Sequence, residues 1–172
     1  MRLFFSTATI SLFLWFTAIP AWALDPPVVK GHLLYGGQRY ELRHAQALQN
    51  PDNPKHLWIL LTTAELSLKD AADPIRTHHL AMSGKLRGVR LAVDAAAPNP
   101  NHLQGALLLS KAESPSGEIV FAAGAEKYWE RLSVTQQRIV GKVSYAVKAS
   151  TFSDTPAWVL DVEFSAPVFK GK

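Results

Sequence analysis

The sequence predicts a mainly β fold: an antiparallel β-sandwich or small barrel of about eight or nine strands with one short inserted helix. Three observations carry this expectation. Apolar and polar residues alternate through most of the chain after Val28, and turn clusters rich in Gly, Pro and Asn recur at short intervals. Only the stretch around Pro74 changes to a helical period. Sandwich and barrel demand the same alternation and the same short turns, so the pattern leaves both open.

The N-terminus stands apart. Met1-Arg2 precedes an uncharged run from Leu3 to Leu24 that carries Phe4, Phe5, Ile10, Leu12, Phe13, Leu14, Trp15 and Phe16 and reaches Ala21-Trp22-Ala23. A basic start, an apolar centre and a small-x-small end are the three parts of a secretory signal, and Pro20 stops the segment from running on as helix into the cleavage site. The reading is a signal peptide over residues 1–23, cleaved after Ala23, and a single β domain over residues 24–172. Ser6, Thr7, Thr9, Ser11 and Thr17 dilute the run and argue against an uncleaved anchor. The expected location is periplasmic or secreted, with no membrane span after cleavage.

Composition narrows the chemistry. The absence of cysteine excludes disulfides and thiolate zinc sites. The net charge of +4, which becomes +3 without Arg2, is spread along the chain with no run of five like charges. No nucleic-acid partner is expected from so diffuse a charge, whereas an anionic envelope polymer is a possible weak partner.

Element by element, Leu24-Asp25-Pro26-Pro27 is an extended lead-in, because two prolines forbid helix. Val28 to Tyr35 and Gln38 to His44 flank Gly36-Gly37, whose glycines accept the positive φ of a tight hairpin turn. Asn50 to Pro54 is a turn cluster, and His56 to Thr63 (HLWILLTT) is apolar at both parities, as a strand covered on both faces must be. Asp73-Pro74 supplies an N-cap and a first-turn proline, and Gly84 supplies a stop, which brackets a helix over Pro74 to Ser83. A further helical turn fits Ala64 to Asp70. Strands then follow at Leu86 to Asp94, from Leu103 to Leu109, at Glu118 to Ala123, Tyr128 to Thr135, Arg138 to Lys148 and Ala157 to Val168. In the last of these Trp158, Leu160, Val162 and Phe164 share the core face and Asp161 and Glu163 the opposite one.

No assembled catalytic or cofactor motif stands out. His32, His44, His56, His78, His79 and His102 show neither i,i+2 nor i,i+4 ligand spacing, so no metal and no cofactor is expected. Asp161 and Glu163 are a carboxylate pair at i,i+2, the basis of an alternative reading as a hydrolase of envelope polymers; acids opposite an apolar row more simply mark a solvated strand face. There is no G-x-S-x-G elbow. Gly84-Lys85-Leu86-Arg87-Gly88 resembles a phosphate loop but runs from helix to strand, the reverse of what phosphate binding needs, so its glycines read as a helix stop and a close strand approach. Aromatic faces and basic rows remain as binding candidates: Tyr128 and Trp129 near the turn at Gly124, and Arg138, Lys142 and Lys148 on one strand, with Arg39 and Arg43 as possible additions.

The stretches LRHAQAL (Leu42 to Leu48), LWILLTTAELS (Leu57 to Ser67), GKLRGVRLAVD (Gly84 to Asp94), RIVGKVSY (Arg138 to Tyr145) and WVLDVEFSAPV (Trp158 to Val168) resemble a pattern in uncharacterised secreted proteins of Gram-negative bacteria. The resemblance implies a periplasmic β-rich domain with one inserted helix and carries over no functional residues. Together these readings point to a non-enzymatic binding or accessory protein of the periplasm, with an envelope protein favoured as partner. A hydrolase and a lipid or hydrophobe carrier built on an open barrel are the alternatives.

Overall fold

The computed structural model describes residues 27–50, 53–124, 126–149 and 155–170. The expected signal peptide and most of the lead-in lie outside the described residues. Ten strands and two short helices follow one another: β1 (Val28–Tyr35), β2 (Gln38–Glu41), β3 (His44–Gln49), β4 (His56–Thr62), α1 (Leu68–Ala71), α2 (Pro74–Met82), β5 (Gly88–Asp94), β6 (Leu103–Leu108), β7 (Glu118–Ala123), β8 (Trp129–Val134), β9 (Arg138–Val147) and β10 (Trp158–Phe169). None of the described helices is long and apolar enough to cross a membrane.

The mainly β expectation holds, but the sheet is mixed. Strands β8, β9, β10, β1 and β2 pair antiparallel in that order, and β3 to β7 form a second antiparallel run. The runs join where the end of β10 pairs parallel with β3, Val168 opposite Ala47 and Phe169 opposite Leu48. This corrects the purely antiparallel sandwich or barrel: the ten strands form one curled sheet, a half-barrel. The cause is length. The 12 residues of β10 outreach the 8 of β1, whose pairing stops at Val28 opposite Ser165, so the last turn of β10 has an edge free for another strand.

The switch between runs is abrupt. Gly36 and Gly37, at φ 56° and 83°, make the expected hairpin, but the strand expected over Gln38 to His44 breaks after Glu41. Leu42 N–H then donates to Gly31 O at 3.0 Å while Arg43 N–H donates to Thr62 O at 2.9 Å, so successive amides bond opposite halves of the sheet. The six residues that follow, β3, were not expected as a strand; Ala and Gln have low strand propensity, and pairing with β4 decides the matter.

Two apolar clusters hold the fold. The concave side gathers Leu33, Ile59, Leu61, Leu91, Leu107, Ile139, Trp158, Leu160 and Phe164 from both runs into one core, each such side chain worth about 1.5–3 kcal/mol of transfer free energy. On the convex side Leu48, Leu60 and Leu108 pack beneath the helical segment against Leu66, Ala71, Ala81 and Leu86. Double coverage explains why HLWILLTT is apolar at both parities. The helix ends where expected: Asp73 accepts a hydrogen bond from Arg76 N–H at 3.0 Å, Pro74 opens α2, and Ser83-Gly84 close it. A second helix, α1, stands in the Ala64 to Asp70 region, N-capped by Ser67 through the Asp70 amide.

Candidate functional site

Open sheet edges are where a half-barrel can take a partner, and among the described residues β2, β8 and β7 each pair on one side only. Two of these edges are guarded. In β2 the charged pair Arg39–Glu41, at 2.5 Å, stands on the strand. In β8, Glu130 pairs with Lys142 and Arg131 with Glu163, and the strand is bulged between Trp129 and Arg131. Charges and bulges are the usual means of stopping an edge from pairing with another chain. Strand β7 has no bulge, and its one charge is Glu118 at its first position, paired with Arg90; from there it runs uncharged through Ile119-Val120-Phe121-Ala122-Ala123. Val120 is 80% exposed, against 69% for Ile75 and 46% for Val28.

The backbone of that edge is available. Leu109 N–H donates to Gly117 O at 2.9 Å, and antiparallel pairs alternate between bonded and unbonded positions. With Ile119 opposite Leu107 and Phe121 opposite Gly105 in the same register, the odd residues of β7 bond to β6. Val120 and Ala122 therefore turn their N–H and C=O groups outward. Glu118 does so too, and its carbonyl accepts from Ser116 Oγ at 2.7 Å, which ends the open stretch on that side.

Across from this edge lies the unpaired end of β9, since β8 reaches only as far as Val143. Between them is a slot of about 360 Å³ lined by residues of β7, by Tyr145, Val147 and Lys148, and by Thr155 and Trp158. Its floor is aromatic: Phe121 lies 4.9 Å from Trp158 and 6.0 Å from Tyr145, ring centre to ring centre. Burial, followed by the nearby Tyr128 and Glu126, raises the Tyr145 phenol above its usual range, so it stays neutral at physiological pH. On the convex side of the same strand a shallow trough of about 240 Å³ has small residues, Ala92, Gly105, Ala106 and Ala122, between Trp58 and Val120. Arg90 sits 5.2 Å above the Trp58 ring and bonds Glu118 at 2.5 Å, so the rim is charged but paired.

The residues expected from sequence are divided by the fold. Lys148 lines the slot, and Tyr128 packs edge-on against Tyr145 at 5.2 Å. Trp129 is a correction: it is 1% exposed, its indole N–H donates to His102 O at 3.0 Å, and its ring packs on Phe164, so it is core and not a docking face. The basic row does not form an open patch. Lys142 is paired with Glu130, and Arg138 bonds Ser165 Oγ at 2.5 Å. Asp161 is exposed and Glu163 is paired with Arg131 on an open strand face. Among the described residues no three His, Asp or Glu side chains converge as a metal-binding group. What sequence reading missed is the importance of β7: five uncharged, proline-free residues form an unguarded strand, yet nothing local says that this strand is an edge.

A second polar cluster joins β2 to the segment between β6 and β7. Glu113 accepts hydrogen bonds from Tyr40 OH, from Ser110 N–H at 2.8 Å and from Ser110 Oγ at 2.6 Å. The Arg87 guanidinium lies against the same carboxylate, as an ion pair by proximity, since its Nε–H is not directed at the oxygen. Burial opposes ionisation there, but those hydrogen bonds and the Arg87 charge outweigh it and hold Glu113 below the usual carboxylate range.

No protein-family model, no curated protein and no solved structure matches this chain.

Proposed function

We propose that this chain is a non-enzymatic binding or accessory protein of the periplasm, exported by an N-terminal signal cleaved after Ala23, and that it docks a protein partner by strand addition on β7. The observation that carries the reading is the contrast among edges: β2 and β8 are guarded and β7 is not. The resemblance to secreted proteins of Gram-negative bacteria agrees with the location. The exposure of Asp161 and the pairing of Glu163 favour a solvated strand face over a hydrolytic pair, and the filling of the concave side by Trp129, Trp158 and Phe164 favours docking at an edge over carriage in a lumen.

Two experiments test this. Mass spectrometry of an envelope fraction is expected to find a chain beginning at Leu24, and an intact Met1 on a membrane-integrated product would overturn export with cleavage. In a pull-down from envelope extract, Val120→Lys places a guarding charge on β7 and is expected to lose the partners that the parent protein retains. Equal recovery by both proteins would remove β7 as the docking edge.

A further inference from the structure

The slot beside β7 is selective in shape and charge, and this inference rests on the strand docking proposed above. A strand laid along β7 puts alternate side chains on opposite sides of the sheet. On the concave side they meet the rings of Phe121, Tyr145 and Trp158; on the convex side they meet Val120, Ala122 and the small residues of the trough. Large apolar side chains fit the first and small ones the second.

Charge sets the rest. Among the described lining residues Lys148 is the one that carries a charge. It is exposed and no described carboxylate pairs with it; Lys30 on β1 is likewise exposed without a described ion pair but does not line this slot, whereas Arg39, Arg131 and Lys142 each have a Glu. Glu126, close enough to influence Tyr145, is not among the lining residues. An ammonium that no described carboxylate opposes, at the end of an apolar slot and on an exported chain whose net charge is +4 less the one of Arg2, favours an anion beside the incoming strand.

We propose that the slot between β7 and β9 takes an extended acidic-apolar peptide segment of a partner protein, with large apolar residues over the aromatic floor and a carboxylate at Lys148.

The test uses two capped peptides of alternating valine and threonine, one with glutamate at both ends and one with lysine at both ends. They are titrated into the purified exported protein and followed by tryptophan fluorescence, which Trp158 reports, and by calorimetry. The acidic peptide is expected to bind about tenfold tighter than the basic one, and Lys148→Glu to reverse that order. Val120→Pro is expected to abolish both bindings without unfolding the protein, because the N–H it removes faces the open edge and not β6. Should that variant fail to fold, Val120→Lys and an acidic peptide N-methylated at alternate residues replace it. Equal binding of both peptides that Lys148→Glu leaves unchanged, yet lost in Val120→Pro, would overturn the acidic partner and leave strand docking intact. Absence of binding, or binding indifferent to Val120, would overturn both. A concentration-dependent dimer that Val120→Pro dissolves would give the edge to a second copy of this chain and likewise overturn the proposal.

Discussion

Tyr40 and Glu113, 73 residues apart in sequence, share a hydrogen bond that ties the edge of one half of the sheet to the connection between β6 and β7 in the other. Arg87 completes the contact from above the Tyr40 ring, 5.8 Å from its centre. Both members of the Arg87–Glu113 pair are largely buried, at 17% and 16% side-chain exposure. Removing one member of such a pair strands the others. Glu113→Ala is expected to destabilise the protein by about 3 kcal/mol in urea unfolding, and Tyr40→Phe by about 1.5 kcal/mol, the lower end for a hydrogen bond to a charged group. A loss under about 1 kcal/mol for Glu113→Ala would show that the cluster is not a latch.

The same carboxylate sets an acid limit. Its pKa in the folded state lies below the ordinary 4.5, so the unfolded chain takes up the proton first as pH falls. The stabilisation is fully present above about pH 4.5 and is lost as pH drops through the lower folded value. Equilibrium unfolding of the parent and of Glu113→Gln between pH 6 and pH 3 is expected to show the gap between them closing on acidification. Glu41 and Asp94 are also lowered, but both carboxylates sit at the solvated surface, where screening leaves them little weight in the slope. A constant gap would assign the acid sensitivity to other groups.

Phe164 is 1% exposed and stacks edge-on with Trp129, while Asp161, three residues earlier, is exposed. Phe164→Ala is expected to cost about 3–5 kcal/mol, a large share of a small domain's stability. Asp161→Asn is expected to stay within about 0.5 kcal/mol. Thermal or urea denaturation of the two variants separates the faces, and loss of an activity in a folded Asp161→Asn protein would reinstate a catalytic role for this strand.

Gly141 makes room for two rings. A Cβ there would stand 2.7 Å from the Phe164 ring and 2.8 Å from that of Trp129. Gly141→Ala is accordingly expected to destabilise by about 1–3 kcal/mol through overpacking, with an altered near-ultraviolet dichroism from the displaced indole. An unchanged spectrum and midpoint would mean that the aromatic pair shifts without cost.

Chelation is expected to leave the melting temperature in place. A structural metal adds many kcal/mol through converging deprotonated ligands, and the sequence has no cysteine and no histidine pair at ligand spacing. Calorimetric melts with and without EDTA decide it; a fall of tens of degrees on chelation would reveal a site assembled from distant residues.

By itself the sequence determined what local physics determines. Period-two rows placed Trp158, Leu160, Val162 and Phe164 inside, Gly36-Gly37 turned the first hairpin, and Asp73-Pro74 with Gly84 bounded α2, because each depends on neighbours a few residues away. Burial on both faces of β4 was legible for the same reason. Tertiary structure decided the rest. Parallel pairing of Val168 with Ala47 depends on how far β10 extends past β1, and β3 exists as a strand because β4 lies beside it. Trp129, at the start of β8, went to the core and Lys148, just past the end of β9, to the slot although the sequence shows both in similar alternating stretches, since the curl of the sheet determines which face closes and which stays open. Above all, Ile119 to Ala123 reads as any short apolar strand; that β7 is an edge is a fact about which strands fold next to which, and no local pattern encodes it.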